Sequence, residues 1–147
     1  FDSTSHIGRL AKAEWSRLKA TYLSKISEAI LGEWQWVWSG SIGYGRGETP
    51  KSCECTQKIV VSKDSIAYYR DGQLEKTTAY QIHVVDWTIG SHWFQIQLED
   101  QCQSVSIDPK SCDLFAPDPA PGTEFLNINQ FSGCVCGCPH DSYERKR

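Results

Sequence analysis

The sequence contains no methionine in its 147 residues, and therefore no initiator residue. We interpret this absence as processing of a longer precursor, for which removal of a signal peptide is the usual reason. The resulting expectation is an exported protein.

Long apolar runs and a strong net charge are also absent. No apolar stretch approaches the roughly 20 residues that a membrane-spanning helix needs. The net charge is −3, from 15 basic and 18 acidic residues, whereas nucleic-acid-binding domains are typically basic. We therefore expect no nucleic-acid partner. A chain of this length is expected to form one domain, alone or with an appendage.

Signatures of catalysis and of cofactor binding are missing too. No serine lies in a nucleophile elbow, and the glycine-rich segment at 43–47 is not followed by a helix, so it is not a phosphate-binding loop. Aspartates of the C-terminal half fall in turns, where they are expected to bond the backbone. The histidines are dispersed, at His6, His83, His92 and His140. The sequence therefore predicts a protein that is not an enzyme, with no cofactor and no metal.

Residues 5–31 predict an amphipathic helix that ends at Gly32. Its apolar stripe has helical spacing, and its polar face is mainly basic. One interpretation is that the stripe packs on the rest of the chain. The alternative is that it docks on a partner protein or a membrane surface. The docking candidates are Trp15, Leu18, Tyr22 and Ile26.

After Gly32 the hydrophobic pattern changes to period two, which indicates strands. Residues 1–31 are thus a helical segment, and residues 32–147 form the β domain. A hairpin is predicted at Asp71–Gly72. The spacing of turns is typical of an antiparallel sandwich or an up-and-down barrel. The predicted strands are 34–39, 56–62, 65–69, 73–85, 91–99, 102–107, 124–131 and 143–146.

Gly32-Glu33-Trp34 follows the helix and opens the first strand, which resembles the G-x-W signature of lipocalins and of lipocalin-like domains in bacterial envelope proteins. Four further segments, 43–49, 68–74, 78–82 and 136–145, are similar to this family in order and spacing. The resemblance covers residues 32–147. It implies an all-β, eight-stranded up-and-down antiparallel barrel preceded by the amphipathic α-helix. It also implies that Gly32, Trp34 and Arg145 close one end of the barrel, with Arg145 stacked over the Trp34 indole.

Trp34, Trp36 and Trp38 fall at alternate positions, so a regular strand would place them on one face. In a barrel that face points inward. The indoles would then either fill the core or line a ligand pocket. The candidates for the pocket wall are Trp36, Trp38, Tyr68, Tyr69 and Phe94.

Cysteine is abundant, at Cys53, Cys55, Cys102, Cys112, Cys134, Cys136 and Cys138. In an exported chain this indicates disulfides rather than a thiolate metal site, because the CxC spacing on a strand holds two thiols about 7 Å apart. A bridge from Cys53 or Cys55 to the cluster at 134–138 would fasten the seam of the barrel. Cys102 and Cys112 are expected to pair across a turn. Cys136 or Cys138 is the expected odd thiol.

Two functions remain after these exclusions. The long helix and the proline-rich insertion at 117–122 are additions to the family pattern, and additions of this kind favour assembly. They predict a non-catalytic accessory subunit of a bacterial envelope complex at the outer membrane. The alternative is a protein that binds or transports a small hydrophobic molecule. Either would reside in the periplasm, at the outer membrane or outside the cell.

Overall fold

The computed structural model describes residues 6–41, 46–83, 93–98, 101–129 and 139–146. Eight antiparallel strands form one closed barrel, in which each strand pairs with its neighbours in sequence and the last pairs with the first. The predicted eight-stranded up-and-down barrel with an N-terminal helix is confirmed. Its elements are α1 (His6–Ala29), β1 (Gly32–Ser41), α2 (Pro50–Cys53), β2 (Gln57–Val61), β3 (Ser65–Arg70), β4 (Gln73–His83), β5 (Trp93–Leu98), β6 (Gln101–Asp108), β7 (Phe125–Asn129) and β8 (Pro139–Arg145).

The predicted elements agree with these bounds to within a few residues where both are described. The hairpin at Asp71–Gly72 is confirmed, because both residues have positive φ and Arg70 pairs with Gln73. Predicted strand positions 84–85, 91–92, 99 and 130–131 lie outside the described residues. The predicted strand at 143–146 begins earlier, at Pro139.

The short helix α2 was not predicted. Thr49 caps it, and the Ser52 amide donates to the Thr49 hydroxyl at 3.2 Å. The Thr49 amide donates in turn to the Ser52 hydroxyl at 2.8 Å, which completes a capping box. Pro50 occupies the start of the helix, where its missing N–H costs nothing.

The barrel interior holds a packed core at the end where α1 joins β1. Inward positions alternate along the strands, as at Ile59 and Val61 in β2. The last turns of α1 add Ile26 and Ile30 to this core. Its other buried members include Trp34, Trp36, Ile66, Phe94, Ile96, Val105, Leu126 and Tyr143. In the described part of the chain, no helix is long and apolar enough to cross a membrane.

A β-bulge at Val37 interrupts the alternation of β1. Trp36 pairs with Tyr143, but the next pair is Trp38 with Ser142, so Val37 is an extra residue. The bulge turns Trp38 to the outer face, because one inserted residue reverses the parity of all that follow. The expectation that three indoles share one face is therefore wrong. Trp34 and Trp36 point inward, whereas Trp38 is buried outside the barrel core.

Gly47 packs directly against the outward Trp38 ring. The Trp38 indole N–H donates to the Arg46 carbonyl at 2.7 Å. Gly47 has φ +72°, and a Cβ there would lie 2.5 Å from the Ser39 carbonyl oxygen and 2.6 Å from Trp38 Nε1.

We predict that Gly47→Ala destabilises the fold by about 2–4 kcal/mol, because it adds a backbone clash to the cost of a left-handed conformation. Gly72→Ala is the matched control. Gly72 has φ +79°, and among the described residues no atom lies within 4 Å of the place that a Cβ would take. The free energy of unfolding should therefore fall by only about 1–2 kcal/mol in Gly72→Ala. Urea denaturation of both variants measures the difference, and equal losses would contradict the packing argument.

Candidate functional site

The end of the barrel next to α1 is closed by Trp34 and Arg145. Trp34 is fully buried, and its indole N–H donates to the Ile30 carbonyl at 2.9 Å. The Arg145 guanidinium lies 4.1 Å from the centre of the indole ring. A cation over an indole face is attracted by the ring quadrupole. The pair therefore plugs this end and ties the last strand to the first.

Arg145 also caps the C-terminal end of α1. Its Nη1 donates to the Leu31 carbonyl at 2.8 Å, and its Nη2 donates to the Ala29 carbonyl. The last carbonyls of a helix have no partner within the helix, and a cation is favoured near them. The Arg145 Nε also lies 3.5 Å from the Glu124 carboxylate. One side chain thus joins α1, β1 and the chain segment before β7.

The opposite end of the barrel opens into a cavity of about 540 Å³, which we call the cup. Its wall comes from six consecutive strands, β3 to β8, at their inward positions. In the described part of the wall there are a cation, an anion, two phenols, two amides, one aliphatic hydroxyl and two aliphatic side chains. The lining residues are Tyr68, Lys76, Thr78, Leu98, Gln101, Gln103, Ile128, Asp141 and Tyr143.

Charges and phenols meet on one side of the cup. The Lys76 ammonium lies 4.8 Å from the centre of the Tyr68 ring. Burial, together with the nearby Asp141 carboxylate, raises the pKa of Tyr68 above its ordinary value. The same two causes, with burial the larger, raise the pKa of Tyr143. Both phenols therefore stay protonated at neutral pH and keep a hydroxyl that can donate a hydrogen bond.

A short hydrogen-bond chain connects the core to the cup. The Trp36 indole N–H donates to the Ser39 hydroxyl at 2.7 Å, and Ser39 donates to Asp141 Oδ1 at 2.5 Å. Ser39 faces inward because the bulge at Val37 has shifted the parity of β1. The Asp141 carboxylate is thus held in place from the core side of the wall.

We predict that Tyr143→Phe changes the alkaline stability of the protein. The unfolded chain releases the phenolic proton near pH 10.0, whereas the folded protein holds it more tightly. Stability from this group is therefore complete below that pH and is lost as pH rises above it. The free energy of unfolding should therefore fall less steeply with pH in Tyr143→Phe, by up to about 1.4 kcal/mol per pH unit. Denaturant titrations above pH 10 measure it, and an unchanged slope would contradict the prediction.

The structure separates the five predicted wall residues. Tyr68 lines the cup, while Trp36 and Phe94 belong to the packed core. Tyr69 pairs with Lys58 on the outer face, where the Lys58 ammonium lies 5.0 Å from its ring centre. Trp38 lies on the outer face as well. Most of the cup wall was not predicted from the sequence. The signal that identifies it is the position of its residues, at alternate, inward places along β4 to β8.

The predicted disulfide pairing is not the one observed. Cys53 and Cys55 are joined to each other, with their Cα atoms 5.2 Å apart. The expected separation of about 7 Å assumed a strand, but α2 ends here and Glu54 adopts a left-handed conformation. With this pairing, neither residue forms the expected bridge to the cluster at 134–138. Cys134, Cys136 and Cys138 lie outside the described residues.

Cys112 carries a free thiol, so its predicted bridge to Cys102 is wrong as well. Cys102 lies near the start of β6 and Cys112 lies beyond its end. The Cys112 amide bonds Ser142, which lies level with Ser106 of β6 in the sheet. Ser106 is four residues from Cys102, and four strand residues at about 3.3 Å each are more than a disulfide spans. Burial raises the pKa of the Cys112 thiol, which lies next to Ser142.

The predicted docking residues of α1 differ in their surroundings. Ile26 is buried in the barrel core, and Tyr22 packs against it. Leu18 is 36% exposed, and residues 11–14, 16, 17 and 19–21 are exposed too. The Trp15 side chain lies outside the described set. Among the described side chains of α1, those in the barrel core or packed against it therefore come from its last two turns.

The fold and the cup define a class of protein: a small closed β-barrel with one plugged end and one open, polar cavity. Among the described residues, no group of three or more His, Cys, Asp or Glu side chains is arranged to hold a metal ion. Comparison with models of protein families, with curated proteins and with solved structures finds no match to this chain.

Proposed function

We propose that the barrel is a non-catalytic binding protein that takes one small amphipathic molecule into the cup. The observation that carries this proposal is the cavity of about 540 Å³ at the open end. Its volume lies within the range of about 300–1,000 Å³ that is usual for small-molecule sites. The lipocalin-like resemblance of the sequence supports the same class of function.

The composition of the wall indicates the chemistry of the ligand. Leu98, Ile128 and the Tyr68 ring offer an apolar surface, whose burial supplies roughly 25 cal/mol per Å². Lys76 and the carboxylate of Asp141 sit on the same wall, with Gln101 and Gln103 across from β3. An apolar body with hydroxyl or acidic groups satisfies both parts, whereas a pure hydrocarbon would strip water from these polar groups without replacing it.

A second candidate function is docking, as an accessory subunit, onto a protein of the bacterial envelope. The observation that favours it is the exposure of most of α1 in the described part of the chain, Leu18 included. The helix carries five Lys and Arg residues against two Glu, so an acidic protein surface is the complementary partner. An anionic membrane surface has the same charge. The disulfide Cys53–Cys55 supports an exported location for either function.

Native mass spectrometry of the protein isolated from its host tests both functions. For the cup, the variants are Thr78→Trp, which fills the cavity, and Thr77→Trp, which adds the same ring on the outer face of β4. We expect a small-molecule mass on the wild type and on Thr77→Trp that is absent from Thr78→Trp. Retention of that mass by Thr78→Trp, or no bound mass on any of the three, would contradict ligand binding.

For docking, the same spectra are searched for a bound polypeptide. Leu18→Asp places a charge on the apolar stripe, whereas Ala13→Asp places it on the opposite side of the exposed helix. We expect a polypeptide mass on the wild type and on Ala13→Asp that Leu18→Asp loses. A bound polypeptide that survives in Leu18→Asp, or none on the wild type, would contradict docking through α1.

A further inference from the structure

A second cavity, of about 420 Å³, lies outside the barrel, and we call it the outer pocket. One side is the outer face of β1, β7 and β8, and the other side is the proline-rich loop (residues 109–124). The lining residues that the structure describes for the outer pocket differ from those of the cup. The lining residues are Val37, Trp38, Lys110, Ser111, Asp113, Leu114, Ala116, Pro117, Asp118, Pro119, Phe125 and Glu144.

The bulge in β1 provides part of the floor of the outer pocket. Because Val37 is the extra residue, it and Trp38 both contribute to this outer cavity. Phe125 adds a second aromatic ring, and both aromatic side chains are buried. The Trp38 indole N–H already donates to the Arg46 carbonyl at 2.7 Å. Trp38 therefore lines the pocket as an aromatic surface without a free hydrogen-bond donor.

The proline-rich loop is fixed against the barrel by buried polar contacts. Asn127 Nδ2 donates to the Lys110 carbonyl at 3.0 Å, and its Oδ1 accepts from the Ser142 hydroxyl at 2.7 Å. Ser142 in turn accepts from the Cys112 amide at 2.9 Å. Asn127 and Ser142 are both buried. Buried polar groups with satisfied partners rigidify what they join, so the pocket is preformed.

The charges of the outer pocket are mainly negative. Among the described lining residues there are three carboxylates, from Asp113, Asp118 and Glu144, and one ammonium, from Lys110. Lys110 lies 3.7 Å from Asp118 on the exposed rim. Asp113 accepts a hydrogen bond from the Phe115 amide at 3.0 Å. Glu144 is half-buried, and no hydrogen bond or ion pair with another described residue engages its carboxylate.

We propose that the outer pocket binds a small organic cation with an apolar shell, such as a quaternary ammonium group. Aromatic rings attract such cations. A quaternary ammonium group binds more readily than a strongly hydrated ion, because little water must be removed from it. Glu144 supplies the opposite charge, and its half-buried position reduces the screening of that charge by water. A neutral molecule of the same shape would leave this carboxylate desolvated without compensation.

The test is titration of the intact protein with choline and with 3,3-dimethylbutan-1-ol, which has the same shape without the charge. Binding is followed by NMR at the indole N–H signals, where Trp38 reports the outer pocket and Trp36 reports the barrel interior. We expect choline to shift the Trp38 signal and to bind at least about tenfold more tightly than the alcohol. No shift with choline, equal affinity of the two probes, or a shift confined to Trp36 would overturn the proposal.

Two carboxylate variants then locate the site. Glu144→Gln removes the charge from the pocket wall, and Glu75→Gln removes a charge from the exposed surface of β4. We expect choline binding to weaken about five- to tenfold in Glu144→Gln and to stay unchanged in Glu75→Gln. Equal affinity in the two variants would overturn the assignment. The choline and alcohol comparison on the wild type decides the question even if Glu144→Gln does not fold.

Discussion

Replacement of Trp34 by alanine is expected to destabilise the barrel by about 3–5 kcal/mol, because it opens a large cavity in a fully packed region. The indole is 0% exposed, and it bonds the Ile30 carbonyl and carries the Arg145 guanidinium. The packing, the hydrogen bond and the cation–π contact are lost at once. The loss is a large part of the total stability of a domain of this size.

Chemical denaturation followed by far-ultraviolet circular dichroism measures this change. Leu74→Ala is the control, since Leu74 is 56% exposed on β4 and its truncation should cost less than about 0.5 kcal/mol. If Trp34→Ala lost no more than Leu74→Ala, Trp34 would not be the plug that the structure shows.

Replacement of Arg145 by methionine is expected to cost about 2–4 kcal/mol. The change keeps much of the apolar stem but removes the bonds to the Leu31 and Ala29 carbonyls and the cation over Trp34. Charged hydrogen bonds contribute about 1.5–3 kcal/mol each, and a desolvated cation–π contact contributes about 2 kcal/mol, but the terms overlap and do not add fully. The amides at the end of α1 should become the least protected against hydrogen exchange among the elements that Arg145 joins.

Amide hydrogen exchange separates this effect from general unfolding. In Arg145→Met, the amides of Ile30 and Leu31 should lose protection while the β5–β6 pair does not. Arg145→Lys is the graded control, because an ammonium keeps the charge but cannot bond two carbonyls with one planar group. Equal exchange at α1 in all three proteins would show that Arg145 does not hold the helix.

The closed barrel was predictable because apolar residues alternate along its strands, and these residues are the ones that face the barrel interior. Val61 and Ile59 are inward in β2, and the Asp71–Gly72 turn fixes the next register. The bulge at Val37 was not predictable from hydrophobicity. The proline-rich loop and Gly47 bury Trp38 on the outer face, so the sequence shows the same apolar period on either side of the bulge.

The cup was largely hidden for a different reason. Lys76 and Asp141 face the interior of the barrel, which reverses the expected pattern of apolar residues inside. Polar residues at inward positions become recognisable only when the register of neighbouring strands is known. The Cys53–Cys55 bridge also depended on a local feature, the capping box between Thr49 and Ser52 with Pro50 at the start of α2. That motif is present in the sequence, but it follows a run of glycines that predicts a loop.

The pairing of β1 with β8 has a consequence for how the chain is made. Trp34 pairs with Arg145 and Gly40 pairs with His140, so the sheet can close only when the first strand has paired with the last. Contacts between residues so far apart in sequence are slow to form. Until β8 emerges from the ribosome, β1 and β7 each keep one unpaired edge, which is a template for aggregation. Closure of the barrel is therefore a late event in synthesis, however early β2 to β7 pair with one another.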